Sequence, residues 1–444
     1  MSHYKPYPAY KDSGVEWLGD LPTHWSVKPL KWVGTYQNSN VDKKSYEGQA
    51  QVRLCNYTDV YNNEFIVDSM DFMVATASAT EIASMAVKKG DIIITKDSED
   101  PTDIGIPALV AEDLGNVVCG YHLTVIRVPE SYQGFIFRLI QSDPTKARFY
   151  VESPGITRYG LNQDAIGGLP LVLPPPREAE KLASYVDSET ARIDALITKK
   201  TRFIELLREK RQALITHAVT KGLDSNVKMK DSGVEWLGEV PEHWDVCRLR
   251  RILSDSTYGI SESLSDFGAV GVLRMGDIQN GEVLTDNLGF VPEVEDSLLL
   301  HKGDLVFNRT NSLEKIGKVG LVRSEPESPL SFASYLVRFR PQKGVFEEYL
   351  HYFLNSSYAG AFSRAEAIPA IGQANLNPEK YSYMFLVVPP EDEQRAIVAF
   401  VKIEVARLDS LIDKSERSIE LLKERRSALI TSAVTGQIDL REAA

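Results

Sequence analysis

Several features of other protein classes are absent from this sequence of 444 residues. It has no run of about 18 apolar residues, so no membrane-spanning helix is expected. Its first residues lack the apolar core of a signal peptide. The three cysteines, Cys55, Cys119 and Cys247, are far apart and show neither zinc-ligand spacing nor a disulfide framework. These absences predict a cytoplasmic protein that has no metal site and whose cysteines are small buried apolar residues.

Loops that bind cofactors or phosphates in enzymes acting on nucleic acids are also missing. A P-loop needs a glycine five positions before its Gly-Lys pair, but Ser312 occupies that position before Gly317-Lys318. Asn377-Pro-Glu lacks the second proline and the aromatic residue of a loop around a flipped base. No glycine-rich loop for S-adenosylmethionine and no Pro-Asp nuclease motif is present. The sequence therefore predicts a chain that is not an enzyme.

Charge gives a mixed indication about partners. The net charge of −12 weighs against nucleic-acid binding, because contacts to phosphates need Lys and Arg. Net charge is a weak criterion in a chain long enough for roughly two to four domains, since local patches set the field that a ligand meets. Partner proteins can also supply part of the basic surface.

The most informative feature that the sequence does contain is a long internal repeat. Residues 11–19, Lys-Asp-Ser-Gly-Val-Glu-Trp-Leu-Gly, return unchanged at 230–238, and each copy is followed by a Pro-x-His-Trp block. Residues 213–220 return at 428–435 with one substitution, while the stretches between the paired blocks barely match. The repeated blocks, called the frame below, enclose two central stretches that differ from each other. This pattern predicts one molecule that makes two related contacts. His24 and His243 lie inside the repeated frame and are expected to be structural.

The chain divides into four segments. Residues 1–176 and 221–390 have strand-like runs separated by Gly, Pro, Asn and Asp turns, which predicts two α+β domains. Strands are predicted at 51–54, 91–95, 123–128, 270–275, 304–308 and 335–340. Residues 177–220 and 391–444 form the other two segments; both begin after prolines and have long stretches without Gly or Pro, which predicts a long helix in each.

Each predicted helix carries one apolar stripe at near-heptad spacing, and the two stripes match position by position when shifted by 215 residues. A helix of about forty residues is ~60 Å long and cannot bury such a stripe against itself. The two helices are therefore predicted to pair with each other. The predicted interface residues are Val186, Ile193, Ile197, Ile204, Leu207, Leu214, Val401, Leu408, Ile412, Ile419, Leu422 and Leu429.

The repeated motifs resemble the frame of type I restriction-modification specificity subunits. The resemblance rests on Asp-Ser-Gly-Val-Glu-Trp-Leu-Gly with Pro-x-His-Trp, and on Ala-Leu-Ile-Thr-x-Ala-Val-Thr at the helix ends. It implies two target-recognition domains in a pseudo-twofold tandem repeat, separated by two long antiparallel coiled-coil helices. Each domain would read one half of a split double-stranded DNA site. Two methyltransferase subunits and restriction/translocase subunits would be partners, and they would bind the S-adenosylmethionine, ATP and Mg²⁺ that this chain does not.

Candidate DNA contacts follow a predicted strand in each domain. Arg can bond a guanine with two donors, Asn an adenine, and Lys, Ser and Thr can bond phosphates. In the second domain the polar residues after the strand are Asn308, Arg309, Thr310, Asn311, Ser312, Lys315 and Lys318. Their counterparts in the first domain are Lys96 and Ser98, beside Asp97, Glu99 and Asp100. The Gly-Asp pairs that begin these stretches, Gly90-Asp91 and Gly303-Asp304, are predicted to be turns.

Three further groups of polar residues are weaker candidates, because segments of this kind are more often surface turns than base readers. They are Arg53, Asn56 and Tyr57; Thr157, Arg158 and Tyr159; and Arg274, Gln373 and Asn375. An alternative function also stays open, namely a non-enzymatic coiled-coil scaffold whose two domains bind proteins or peptides. The acidic charge favours that alternative, whereas the Asn, Arg, Thr and Ser loops favour DNA.

Overall fold

A computed structural model describes residues 5–279, 281–370 and 372–441. The chain forms two compact units. Unit 1 contains Met1–Lys200 and Arg417–Ala444, and unit 2 contains Thr201–Glu416. These units are defined by packing, and their boundaries fall inside both long helices. They therefore do not test the four segments predicted from the sequence, which stay a prediction.

Unit 1 is a mixed fold of short strands and helices. Its strands are β1 (Tyr10–Asp12), β2 (Asp20–Pro22), β3 (Ser26–Pro29), β4 (Thr35–Asn38), β5 (Ala50–Cys55), β6 (Phe65–Ile66), β7 (Met73–Ala77), β8 (Ile92–Thr95), β9 (Asp97–Ser98), β10 (Pro107–Val110), β11 (Val117–Cys119), β12 (Leu123–Arg127), β13 (Tyr159–Gly160) and β14 (Pro170–Leu173). Its helices are α1 (Tyr57–Tyr61), α2 (Ala79–Met85), α3 (Gln133–Gln141), α4 (Asp143–Val151), α5 (Gln163–Gly167) and the first part of α6 (Pro176–Lys221).

Unit 2 repeats this plan. Its strands are β15 (Met229–Asp231), β16 (Glu239–Pro241), β17 (Asp245–Arg248), β18 (Leu253–Tyr258), β19 (Val270–Leu273), β20 (Ile278–Gln279), β21 (Glu282–Val283), β22 (Gly289–Val291), β23 (Leu305–Asn308), β24 (Thr310–Asn311), β25 (Val319–Leu321), β26 (Leu330–Phe332), β27 (Leu336–Pro341), β28 (Ile368–Ala370), β29 (Gln373–Asn375) and β30 (Phe385–Val388). Its helices are α7 (Glu347–Leu354), α8 (Ser357–Glu366), α9 (Pro378–Ser382) and the first part of α10 (Glu391–Val434).

The central sheets of the two units share one order of five strands, to which unit 2 adds β20 as a sixth. The order is β4-β12-β8-β10-β6 in unit 1 and β18-β27-β23-β25-β21-β20 in unit 2. In both sheets the pairs are antiparallel except for one, β10 with β6 and β25 with β21. The predicted α+β tandem repeat is confirmed, and so are the six predicted strands.

The turns before β8 and β23 explain why these strands begin one residue later than predicted. Gly90 and Gly303 have φ of +86° and +91°, which a residue with a side chain rarely adopts. The Asp91 carboxylate accepts the Lys88 amide at 3.0 Å and pairs with Arg127. Asp304 pairs with Arg340 in the same way.

The two predicted long helices are present as α6 and α10, of 46 and 44 residues. Each starts at or just after a proline, where a missing amide donor costs nothing, and each has acidic residues in its first turn. All twelve predicted interface residues are buried or half-buried. No helix in the described part of the chain is long and apolar enough to cross a membrane.

Within each unit the two helices lie against each other in antiparallel order. In unit 1, Asp194 in the first half of α6 pairs with Arg426 in the second half of α10. In unit 2, Arg208 pairs with Glu416 and Arg211 with Asp409, so the numbers rise on one helix as they fall on the other. Buried residues of both helices also share one core with the sheet domain of each unit.

The repeated His-Trp block joins each sheet domain to the first turn of a long helix. In unit 1 the Trp25 indole donates to the Glu178 carboxylate at 3.1 Å, and His24 Nε2 lies 2.9 Å from the other Glu178 oxygen. Trp25 and Glu178 are both buried. A carboxylate in the first turn is also stabilised by the positive end of the helix dipole. Glu178 is therefore held from the sheet side and from the helix side.

Unit 2 contains the same arrangement on the other helix. Trp244 donates to Glu393 at 2.9 Å, and His243 Nε2 lies 2.6 Å from the second oxygen of that carboxylate. Each tryptophan bonds the first turn of one long helix and also contacts the glycine that follows the end of the other long helix. A Cβ at Gly222, after α6, would lie 3.1 Å from the Trp244 ring, and one at Gly436, after α10, would lie 2.4 Å from a Pro22 carbon. Each frame block thus contacts both helices of its unit.

Two cysteines that are distant in the sequence lie side by side. Cys55 and Cys119 are register partners on the neighbouring parallel strands β5 and β11, and both are buried free thiols. Burial raises the pKa of both thiols, so they remain protonated and pack as small apolar groups. Cys247 is a half-buried free thiol.

The helix α3 and its counterpart α7 bury different polar side chains. In unit 1, α3 presents Arg138, which is 1% exposed and bonds Glu64, Asp187, Gln141 and Thr190. Burial raises the pKa of the Glu64 carboxyl, but the guanidinium groups of Arg138 and Arg426 outweigh this and leave the pKa below its usual value. A buried charge is tolerated here because it is fully paired.

In unit 2, α7 buries a histidine, His351, which is 4% exposed. Its Nε2 donates to the Gly281 carbonyl at 2.7 Å, and its buried Nδ1 has no hydrogen-bond partner. Protonation would place a second, unsatisfied donor at that buried nitrogen. Burial accordingly lowers the pKa of His351 to about 4.

We expect the stability of unit 2 to fall as the pH drops from about 6.5 to about 4. In this window the unfolded histidine binds a proton that the folded one does not, so the free energy of unfolding decreases by about 2 kcal/mol between pH 7 and pH 5. Hydrogen exchange of the α7 amides at both pH values measures this loss. His351→Gln keeps a donor for Gly281 but does not titrate, so its α7 should lose about 2 kcal/mol less. Equal pH responses in the two proteins would contradict the assignment.

Candidate nucleic-acid interface

One edge of the unit 1 sheet brings together three polar segments. Where β8 ends, the Lys96 amide donates to the His122 carbonyl at 3.0 Å, and the Leu161 amide donates to the Lys96 carbonyl at 2.8 Å. The chain then forms β9, which pairs with β13. Residues 96–98, 121–122 and 157–160 therefore meet at one place, although the sequence separates them by more than twenty residues.

The side chains at this edge form a charged cluster around Asp97. Its Oδ1 atom lies 2.5 Å from His122 Nδ1 and accepts from the Arg158 guanidinium at 2.8 Å. The Lys96 ammonium lies 4.7 Å from the centre of the Tyr121 ring, a distance typical of a cation–π contact. Tyr121 is about half-exposed and Arg158 is exposed, so both can contact a ligand.

Asn56 and Tyr57 lie at the margin of the same cluster. Burial raises the pKa of the Tyr57 hydroxyl, and the nearby carboxylates of Asp103, Asp97 and Asp100 raise it further. The hydroxyl therefore stays protonated, and it is buried without a hydrogen-bond partner among the described residues. Asn56 lies beside Gly120, where a Cβ would approach its side-chain oxygen to 3.4 Å.

Unit 2 places equivalent segments at the equivalent edge. The Arg309 amide donates to the Tyr335 carbonyl at 3.1 Å, and the Leu376 amide donates to the Arg309 carbonyl at 2.8 Å. β24 then pairs with β29, as β9 pairs with β13. Arg309 is the counterpart of Lys96, and Tyr335 is the counterpart of His122.

Several predicted contacts of unit 2 are engaged inside the domain. Asn308 is buried and donates to the Met275 carbonyl at 3.2 Å, and Thr310 is buried and donates to Asn375 at 2.8 Å. The Arg309 guanidinium lies over the Tyr258 ring at 5.5 Å, and its buried Nε has no hydrogen-bond partner. Asn311 is half-buried and its side chain accepts the Ser312 amide. Gln373 is exposed.

The remaining candidates lie outside these clusters or at their margins. Arg53 bonds Asp68 and Asn116, and Arg274 bonds the Asn287 carbonyl and pairs with Asp277. Ser312, Lys315 and Lys318 belong to the turn that follows β24, where all three are exposed. Partial burial of the Lys318 ammonium group, with Arg364 and Arg211 nearby, lowers its pKa. Thr157 is exposed beside Arg158 and Tyr159 is half-buried in β13.

Three neighbours of the clusters were not among the sequence candidates. They are the aromatic residues Tyr121, His122 and Tyr335. A signal was present, because the aromatic residues lie immediately before or at the start of the predicted strands 123–128 and 335–340. Within the described ranges no group of three His, Cys, Asp or Glu side chains is arranged to hold a metal ion.

Comparison with known proteins gives a consistent family likeness. No protein-family model matches the chain. It is 27% identical over 205 residues to a putative type I restriction enzyme MjaX specificity subunit of Methanocaldococcus jannaschii, covering 45% of this chain and 47% of the relative. It is 27% identical over 212 residues to the EcoKI specificity subunit of Escherichia coli, covering 45% and 44%. The chain spans about half the length of these curated relatives.

Solved structures match over a larger part of the chain. A chain from a type I restriction-modification complex superposes with a TM-score of 0.71 at 16% identity, covering 94% of this chain and 99% of the other. The HsdS subunit from Thermoanaerobacter tengcongensis superposes with a TM-score of 0.53 at 17% identity, covering 94% and 98%. At these identities the likeness concerns the fold.

The repeated frame motifs, the duplicated sheet topology, the curated relatives and the solved structures all agree. The resemblance predicted from the frame motifs is confirmed: in sequence and in fold, this chain is similar to the specificity subunits of type I restriction-modification systems.

Proposed function

We propose that this chain is the DNA sequence-specificity subunit of a type I restriction-modification complex. Each unit reads one half of an asymmetric, split site on double-stranded DNA. The observation that carries the proposal is the pair of equivalent polar clusters at the same sheet edge of units 1 and 2, built on one topology but from different side chains. A shared scaffold with different contact residues suits two related but distinct base sequences.

The composition of the clusters supports recognition of base edges. They combine Arg, Lys, Asn, Gln, Ser and Tyr side chains, which include the donors and acceptors that match base edges in the grooves. Phosphate contacts position a protein on DNA but carry no sequence information. The acidic total of −12 is compatible with this function if partner subunits supply part of the phosphate-binding surface.

The chain itself is proposed to be non-catalytic. Methyl transfer and cleavage belong in this proposal to two methyltransferase subunits and to restriction/translocase subunits, which bind S-adenosylmethionine, ATP and Mg²⁺. The sequence contains neither a P-loop nor a loop for the methyl donor. The helices α6 and α10 are proposed to set the gap between the two half-sites and to dock the methyltransferase subunits.

Exposed leucines at duplicated helix positions support two equivalent docking faces. Leu196 of α6 and Leu421 of α10 lie in unit 1, and their counterparts shifted by 215 residues, Leu411 and Leu206, lie in unit 2. These four side chains are between 39% and 50% exposed, although their helices have a separate buried stripe. An apolar pair repeated outside the core favours two copies of one partner.

Exchange of one recognition domain should change one half of the DNA site. Replacing residues 221–390 with the corresponding segment of a relative should alter one half-site and leave the other intact, because the two clusters lie in separate units. Methylome sequencing of a strain that carries the chain with its methyltransferase measures both halves. A steep fall of DNA affinity with salt should accompany binding. Salt-independent binding would favour the alternative of a protein-binding scaffold, and a change in both halves would show that the two units do not read separate half-sites.

Charged substitutions of the exposed leucines should remove one methyltransferase subunit. With Leu196→Glu and Leu421→Glu together, we expect binding of one methyltransferase copy in place of two, measured by native mass spectrometry. Leu206→Glu with Leu411→Glu should remove the other copy. Thr198→Glu, at an exposed position of the same helix, is the control and should retain two copies. Two copies on the Leu196/Leu421 variant would exclude this docking face.

Lengthening both helices together should lengthen the gap in the DNA site. Four residues inserted after Lys200 and four after Glu416 add ~6 Å to each helix, which corresponds to about two base pairs. Because the insertion also rotates one unit about the helix axis, some affinity should be lost. The methylated motif should keep both half-sites and gain unspecified positions between them. If the insertion variant keeps the parental gap length and the parental affinity for DNA, the helices do not set the spacing.

A further inference from the structure

The paired strands identify Arg158 and Gln373 as equivalent positions. In unit 1, Tyr159 is the register partner of Ser98, and Arg158 comes directly before Tyr159. In unit 2, Ala374 is the register partner of Asn311, and Gln373 comes directly before Ala374. Ser98 and Asn311 are themselves equivalent, because each follows the same central strand by the same number of residues. The two units thus place an arginine and a glutamine at one site of one scaffold.

Arg158 is held in position from one side. Its NH2 group donates to Asp97 Oδ1 at 2.8 Å and lies 2.9 Å from His122 Nδ1. No hydrogen bond to the described residues occupies its NH1 or Nε atoms, and its side chain is 56% exposed. Asp97 is itself fixed by His122. The guanidinium is therefore preorganised, with a free edge of donors facing outward.

The surroundings of Arg158 favour a neutral base edge over a phosphate. The Asp97 carboxylate lies 2.8 Å from the Arg158 guanidinium and offsets its charge. This weakens the attraction of a phosphate to Arg158, but it leaves the guanidinium able to donate hydrogen bonds to an uncharged base. A guanine presents the O6 and N7 acceptors that an arginine fork bonds with two donors, and a carboxylate can accept from the amino group of the paired cytosine.

The equivalent site in unit 2 has neutral chemistry. Thr310 replaces Asp97, and its hydroxyl is already used by Asn375. The exposed Gln373 amide has no hydrogen bond to the described residues, so its donor and its acceptor are both free. An amide with a free donor and a free acceptor matches the N7 and N6 groups of adenine.

We propose that Arg158 and Gln373 are the equivalent base-reading side chains of the two units. Arg158 reads the guanine of a G·C pair in one half-site, and Gln373 reads the adenine of an A·T pair in the other. Asp97 and His122 are positioning residues that orient the Arg158 guanidinium. The inference rests on the proposed DNA-recognition function and adds to it the base class read at one position in each half.

The exchange of the two side chains tests the proposal. Arg158→Gln and Gln373→Arg are each expressed with the methyltransferase partner, and the methylated motif is sequenced. Arg158→Gln should relax or change one G·C pair in one half-site, and Gln373→Arg should change one A·T pair in the other. On DNA with single base-pair changes, discrimination at that position should fall roughly 5- to 150-fold, with other positions unaffected.

Further variants separate a base contact from a phosphate contact. Arg158→Lys keeps the charge but loses the fork, so discrimination should fall while affinity for other sequences is retained. Asp97→Asn should weaken discrimination at the same base pair as Arg158→Gln. Arg148→Gln, a surface arginine paired with Glu152 on α4, is the control and should leave the motif unchanged.

The outcomes distinguish this inference from the proposed function. A parental split motif that Arg158→Gln and Gln373→Arg both leave unchanged would overturn the inference alone. An equal loss of affinity on every DNA sequence would make Arg158 a phosphate contact and overturn it as well. If the parental complex methylates no split motif, the proposed function is wrong, and the inference is lost with it.

Discussion

Two carboxylates, the buried one of Glu178 and the half-buried one of Glu393, join the sheet domains to the long helices. Each lies in the first turn of a long helix and is bonded by the tryptophan and the histidine of a frame block. Burying a carboxylate costs several kcal/mol unless donors and a favourable field replace the lost water. The indole, the imidazole and the helix dipole together fulfil this requirement. Both frame blocks keep the tryptophan and the histidine that bond this carboxylate.

The geometry of this contact explains how the centres of the two units can differ so much. Trp25 and Trp244 also contact the glycine beyond the other long helix of the unit, so each frame block reaches both helices in addition to the core that they share with the sheet domain. The polar cluster at the other edge of the sheet takes no part in the contact between the frame block and the helices. Lys96, Asp97 and Arg158 in unit 1, and Arg309, Thr310 and Gln373 in unit 2, can change without loosening it.

Much of the fold could be predicted from the sequence, because the features that define it are periodic or repeated. The helix stripe and the Gly-Asp turns are local patterns with one physical solution. The residues of the candidate DNA contacts were harder to predict. Asn308 and Thr310 resemble contact residues by type, but the structure buries them, and burial depends on partners such as Asn375 that lie more than sixty residues away. Tyr121 and His122 were missed because their position depends on the pairing of β8 with β12.

The discontinuity of unit 1 has a consequence for the order in which the protein is made. Unit 2 is one continuous stretch, Thr201–Glu416, whereas unit 1 needs both Met1–Lys200 and Arg417–Ala444. On the ribosome the residues of unit 1 emerge first, yet Ala179, Leu182 and Val186 must wait for Leu429, Ile430 and Ala433 to complete their core. During synthesis these apolar groups are exposed while all of unit 2 is being made, a state prone to aggregation or chaperone binding. The half of the molecule that is translated first is thus the last to be completed.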